Sequence, residues 1–229
     1  MTDLQSNHNL LERYQGVKNQ VDQLAKTHGH PVELLAVSKR HSIESIEQVY
    51  QTGQKAFGEN YVQEGVEKAQ ALNHLDIEWH FIGPIQSNKS RLVAEHFQWV
   101  HTIDREKIAV RLNEQRPANM AKLNVLIQVN ISEQETKSGI LLHEVEALAQ
   151  AIEQLPNLTL RGLMCIPAPL DDAQLKNEFH AMQQAFNTLK QNHPTVDTLS
   201  MGMSQDLDLA IECGSNMVRI GTAIFGARN

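Results

Sequence analysis

The stretch 32–40 reads VELLAVSKR. Its centre, Leu34-Leu35-Ala36-Val37, is a short apolar run bounded by polar residues, the pattern of a strand buried on both faces in a parallel sheet. The run ends at Ser38-Lys39. The carboxyl ends of such strands are where open α/β sheets and barrels collect their chemistry. Low-dielectric surroundings there depress an amine pKa and turn a lysine into a Schiff-base former. The competing reading is a lysine that snorkels from the strand end into water. The rest of the chain decides between the two.

Outward from this stretch, helix-like and strand-like segments alternate. Before it, Leu10, Tyr14, Val17, Val21 and Leu24 are spaced by four, three, four and three, one face of a helix over 4–27. After it, Ser42 reads as the N-cap of a helix carrying Ile43, Ile46, Val49 and Tyr50, with Gly53 as its stop. Further strands are expected at 55–58, running into Glu59-Asn60, and at 78–83, 99–103, 123–131, 158–166, 198–203 and 217–225. Helical stripes lie between them, among them Val62/Val66/Ala69, Ile108/Leu112 behind Asp104 as a cap, and Leu175/Phe179/Met182/Phe186/Leu189. Such alternation implies parallel strands joined by right-handed crossovers. Eight units in about 200 residues fit an α/β fold of one closed (β/α)8 barrel with an extra N-terminal helix, a single domain over 1–229. An open doubly wound sheet is the alternative.

Composition narrows the partners. The 229 residues carry 20 basic and 27 acidic side chains, a net charge of -7. An acidic balance argues against a nucleic-acid or anionic-membrane partner. The start, MTDLQSNHNLLERYQ, lacks the basic segment and apolar core of a secretory signal, and no apolar run has the length of a membrane span. Cys165 and Cys213 have no CxxC spacing, so a reduced, cytoplasmic setting is expected. The 11 histidines contain no HExxH pattern, and no metal site is expected.

Strand alternation then gathers polar groups at one end of the barrel. In 217–225, Val218 and Ile220 share the helix-covered face, which turns Arg219 and Gly221 inward, with Thr222 behind. In 198–203, Leu199, Met201 and Met203 share one face, and Ser200, Gly202 and Ser204 the other. Asn60 shares a face with Ala56 and Gly58. Loops after strands seven and eight of such barrels commonly bind phosphate, which glycine admits and hydroxyls and amides bond. A lysine amine, a phosphate cradle and an anchor for a ring nitrogen are together what pyridoxal 5′-phosphate (PLP) needs. A guanidinium facing the pyridine nitrogen keeps it unprotonated, which makes the ring a weaker electron sink.

The motifs AVSK (36–39), FGENYVQE (57–64), WHFIGPIQSNK (79–89), RGLMCIP (161–167), GMSQD (202–206) and RIGTAIFG (219–226) closely resemble those of the pyridoxal-phosphate homeostasis proteins. That family is related to the barrel domain of bacterial alanine racemase. The resemblance covers nearly the whole chain. It implies a fold-type III PLP barrel with the cofactor as a Schiff base on Lys39. It implies ring contacts from Asn60 and Arg219, and phosphate contacts from Ser204, Gly221 and Thr222, with Ser200 also carried over. It implies buffering or delivery of the cofactor, with apo PLP-dependent enzymes as recipients and effects on amino-acid and keto-acid balance. The chain has no match to the racemases' second domain, so a monomer is expected. A PLP-dependent racemase or lyase is the alternative. It needs a second catalytic base, and none of Tyr14, Tyr50 and Tyr61 falls on an expected strand end. A cofactor-free Schiff-base aldolase is a third reading. Lys137 could accept cofactor transiently or be a solvated loop lysine, and the stretch 79–89 has no evident physical role from sequence.

Overall fold

The expected strands close on themselves. In the computed structural model, which describes residues 3–227, eight strands pair in parallel in chain order and the eighth pairs with the first. Residues 1–2 and 228–229 of the expected domain lie outside the described residues. The order is α1 (Asp3–His28), β1 (Glu33–Val37), α2 (Ile43–Gln51), β2 (Ala56–Glu59), α3 (Val62–Ala71), β3 (Glu78–Phe81), α4 (Ser90–His96), β4 (Trp99–Ile103), α5 (Glu106–Gln115), β5 (Leu123–Val129), α6 (Val145–Glu153), β6 (Leu158–Cys165), α7 (Asp172–Asn192), β7 (Thr198–Ser200), α8 (Leu207–Glu212), β8 (Met217–Ile220) and α9 (Thr222–Phe225). Short 3-10 turns precede α4 and α6.

Period-two alternation sorts the core into an outer and an inner part. Leu34, Ala36, Val218 and Ile220 join the large cluster shared with the helices. Leu35, Val37, Ala56, Ile82 and Met217 pack together inside, and so do Trp99, Leu126 and Met164, with Ile166 against them. Other inward positions are polar: His80, His101, Ser200 and Arg219 are all buried. The barrel is therefore filled, as closed eight-strand barrels are, but partly by groups that must find hydrogen bonds.

Several expectations are corrected at the strand ends. β7 stops at Ser200 because Gly202 turns the chain at φ +101. Met203, expected to share a face with Leu199 and Met201, is instead 42% exposed at the barrel mouth. β8 stops at Ile220, and 222–225 is helix rather than strand. Asp104 does not cap α5. Arg105 holds that position, and Asp104 Oδ2 accepts the amide of Gly139 at 3.2 Å, tying down the loop after β5. Ser42 does cap α2, accepting the amide of Ser45. The extra helix α1 packs on α9, where Arg13 donates Nε to the carbonyl of Ile224 at 2.9 Å and Nη2 to that of Phe225 at 3.3 Å. A cation is well placed at a helix carboxyl end.

The β5–β6 register slips between Val125 and Leu126, so that Arg161 is the extra residue of a bulge. Gly162 follows it at φ +148, and a Cβ there would sit 1.8 Å from the Thr198 carbonyl oxygen. Gly162→Ala is expected to cost about 3 kcal/mol or more. Gly16→Ala, with nothing within 4 Å of the added carbon in α1, should be stabilising by a few tenths to about 1 kcal/mol. Urea unfolding of the two variants checks both.

Candidate functional site

Lys39 lies two residues beyond β1, and the turn that carries it is held on both sides by a buried ion cluster. Ser38 is fully buried, and its hydroxyl donates to Glu59 Oε1 at 2.6 Å. Its carbonyl accepts from Lys68 Nζ at 2.7 Å. Lys68, 5% exposed, also donates to Glu59 at 2.8 Å and to Glu64 at 2.7 Å. Glu64 in turn accepts the backbone amide of Arg40. Arg40 stands at φ +61, in the left-handed region where a side chain costs roughly 1–2 kcal/mol. Burial pushes the Glu59 carboxyl up, while Lys68 and Ser38 pull it down. Sequence reasoning missed this cluster, although the Glu64–Lys68 spacing of four on a helix was a visible signal.

A cavity of about 660 Å³ opens at the carboxyl ends of the strands. Its wall brings together Lys39, Asn60, Ser204, Arg219, Gly221 and Thr222. The volume suits a small cofactor. Ser200, the remaining residue proposed from the sequence, is not in the wall. It lies fully buried behind Arg219, its Oγ accepting from Nη1 at 2.6 Å. Arg219 Nη2 donates to the Cys165 carbonyl at 2.9 Å, and the Arg219 amide to Gly202 O at 3.0 Å. The guanidinium is thus fixed in orientation. Burial lowers its pKa from the ordinary value, yet an arginine stays protonated in proteins. Burial also pushes the Cys165 thiol up to about 12, which leaves it an inert core residue.

The wall fits a phosphorylated aromatic aldehyde. Asn60 Oδ1 is buried without a hydrogen-bond partner among the described residues. A Cβ on Gly221 would stand 3.0 Å from the Val37 carbonyl oxygen, a tight contact, so glycine eases the close approach of the two backbones there. The first backbone bond of α9 runs from Ile224 N to Gly221 O, which leaves the amides of residues 222 and 223 outside the helical ladder. Asp206 also lines the cavity. Its Oδ1 accepts the Met203 amide at 2.6 Å, and burial raises its pKa against the pull of that bond and of Arg219.

Tyr61 follows β2 as the N-cap residue of α3, 43% exposed, with its hydroxyl accepting from Arg40 Nη2 at 3.2 Å, and it does not line the cavity. Two other expectations change. Lys137 is half-buried rather than solvated. It lines a neighbouring cavity of about 250 Å³ that shares Asn60, Ile82 and Ile166 with the first, and its Nζ donates to Pro167 O at 3.3 Å. The stretch 79–89 acquires a physical role: a Cβ on Gly83 would lie 2.0 Å from the Asn60 carbonyl oxygen, and the Gly83 carbonyl accepts from Thr102 Oγ1 at 2.7 Å. Among the described residues no group of three or more His, Cys, Asp or Glu could hold a metal ion.

A family profile described as "Alanine racemase, N-terminal domain" matches residues 13–229. The chain is 63% identical over 203 residues to the pyridoxal phosphate homeostasis protein of Haemophilus influenzae, covering 86% of each chain. It is 53% identical over 231 residues to the protein of the same name from Escherichia coli K12, covering 97% of this chain and 96% of that one. Among solved structures, PipY of Synechococcus elongatus PCC7942 with PLP bound superposes with a TM-score of 0.83 at 34% identity, over 95% of this chain and 100% of that one.

The ion cluster beneath Lys39 makes a direct prediction. Lys68→Met leaves Glu59 buried without its cation and is expected to destabilise the chain by about 3–5 kcal/mol. The double variant Lys68→Met/Glu59→Gln should recover part of that loss. Denaturant midpoints of the two variants beside wild type check it.

Proposed function

The chain belongs to the pyridoxal phosphate homeostasis proteins, and we propose that it holds PLP at the barrel mouth on Lys39 and buffers or delivers it in vitamin B6 homeostasis. The observation that carries this reading is the single cavity whose wall combines Lys39 with Asn60, Ser204, Arg219, Gly221 and Thr222. When bound, the cofactor supplies an aldehyde that condenses with a primary amine to a Schiff base, with loss of water. Lys39 provides that amine from a turn whose neighbours on both sides are pinned. The hydroxyls of Ser204 and Thr222 and the backbone at Gly221 take the phosphate. Asn60 and Arg219 would hold the ring, with the guanidinium available to its nitrogen, and Ser200 acts from behind by holding Arg219.

The charge arrangement favours storage over chemistry. A fixed guanidinium disfavours a proton on the ring nitrogen and so weakens the ring as an electron sink. Among the described residues lining the cavity, the ionisable side chains are Lys39, Asp206 and Arg219. Asp206 is engaged with the Met203 amide, and Arg219 with Ser200 and Cys165. This supports a protein without substantial catalysis of its own. Its recipients are apo PLP-dependent enzymes. It works as a cytoplasmic monomer over a single domain, 1–229, without nucleic-acid or membrane partners. The net charge of -7 supports the absence of nucleic-acid and anionic-membrane partners.

Purified wild type should show a visible absorbance band that borohydride abolishes, with the reduced adduct mapped to Lys39. Lys39→Ala should lack both. A wild type that gains no band when PLP is added would sink the reading. Incubation with amino acids in deuterium oxide should leave their α-hydrogens unexchanged, and rapid exchange would favour a racemase or lyase instead.

A further inference from the structure

Four buried side chains that cross the barrel interior form one hydrogen-bonded line. Arg219 Nη1 donates to Ser200 Oγ at 2.6 Å. Ser200 Oγ lies 3.1 Å from His101 Nδ1, His101 Nε2 lies 2.8 Å from His80 Nδ1, and His80 Nε2 lies 2.9 Å from Glu78 Oε1. Ser200, His80 and His101 are fully buried, and Arg219 is 4% exposed. Glu78 opens β3 at the amino-terminal end of the barrel, opposite the cavity, with its side chain 43% exposed. The His80 ring also stacks on Trp99, centroids 5.1 Å apart and planes within 8°.

The two ends of this line set its direction. Arginine only donates and a carboxylate only accepts. Glu78 is held below the ordinary carboxylate range chiefly by the His80 hydrogen bond, so it is ionised and requires Nε2–H on His80. With a single proton on each ring, His80 Nδ1 is then the acceptor for His101 Nε2–H, and His101 Nδ1 the acceptor for the Ser200 hydroxyl proton. Burial, with the Arg219 guanidinium adding to it, keeps the His101 pKa well below the usual histidine value, and its ring is neutral. Every proton in the line then points from the guanidinium towards the carboxylate.

We infer that Arg219 is oriented and charge-balanced through Ser200, His101 and His80 by Glu78 on the far face of the barrel, so that these four are positioning residues for whatever Arg219 holds. The line is a property of the chain itself. Its consequence for PLP rests on the function proposed above. Chains of hydrogen bonds polarise one another in a low dielectric. Removing the distal charge therefore weakens the grip at the proximal end, although Glu78 does not line the cavity.

The experiment has two arms. In the first, the cofactor-free, 15N-labelled full chain is examined by long-range proton–nitrogen correlation, with His80→Gln and His101→Gln identifying the two rings. Both should be neutral Nε2–H tautomers, and an Nδ1–H tautomer or a cation at either ring overturns the line. In the second, PLP dissociation constants are measured for wild type, Ser200→Ala, Ser200→Thr and Glu78→Gln. Ser200→Ala should bind about tenfold more weakly and Ser200→Thr within about twofold of wild type. Glu78→Gln should bind about threefold more weakly, with the absorbance band of the bound cofactor displaced. Wild-type affinity and spectrum in Glu78→Gln overturn the inference whatever Ser200→Ala does. Glu78 is a surface position, so this comparison survives if Ser200→Ala fails to fold. If wild type does not take PLP at all, the proposed function fails, and the tautomers still decide whether the line exists.

Discussion

A guanidinium in the middle of a barrel has to be solvated by protein instead of water. Arg219 on β8 is 4% exposed, and an uncompensated charge at that depth would cost several kcal/mol. The protein compensates with a carbonyl from β6 and a hydroxyl from β7, while the Arg219 backbone amide is tied to a carbonyl in the turn after β7. None of these carries a full negative charge. The arginine keeps its cation and its fixed plane, and three consecutive segments of the barrel wall are tied together by the need to satisfy it.

A second fixed charge lies on the other side of the cavity. Lys68, with Glu59 and Glu64, is buried beneath the Lys39 turn and holds Ser38 and Arg40 in place. The positive φ of Arg40 is strain that such an arrangement can sustain. Between the two polar clusters stand Val37, Ile82 and Ile166, which are apolar. The cavity is thus a shaped space between two rigid electrostatic supports, and little reorganisation is left for a ligand to impose.

Much of this was legible beforehand. Short apolar runs between helical stripes located eight strands, and period-two alternation put Arg219 and Asn60 on inward faces, because one face of a barrel strand has to match the pleat of its neighbours. Alternation failed where the backbone stops being a strand. Gly202 redirects the chain, and Met203 departs from the face shared by Leu199 and Met201. The parity that turns Trp99 inward also turns His101 inward, but a histidine acquires meaning only when its partners on β3 and β7 are known, and those are set by register. Lys68 was hidden for a related reason: a lysine on a helix reads as solvated until the element covering it is in place. Ser200 was singled out by its parity, yet its depth behind Arg219 follows from where β7 ends.

The ring of strands closes where the first meets the last, and Leu35 pairs with Arg219 across that seam. The cavity straddles the same seam, with Lys39 supplied from one side and Gly221 and Thr222 from the other. A chain emerging from the ribosome can therefore order its early strands, with Lys39 and Asn60 already at their ends, without possessing a complete pocket. The pocket comes into being in the closing event, at the greatest sequence separation of any strand pairing in the barrel. Occupancy by a ligand then reports on completion: only a molecule whose final strand has docked can carry cargo, and cargo once bound favours the closed ring over its opened forms.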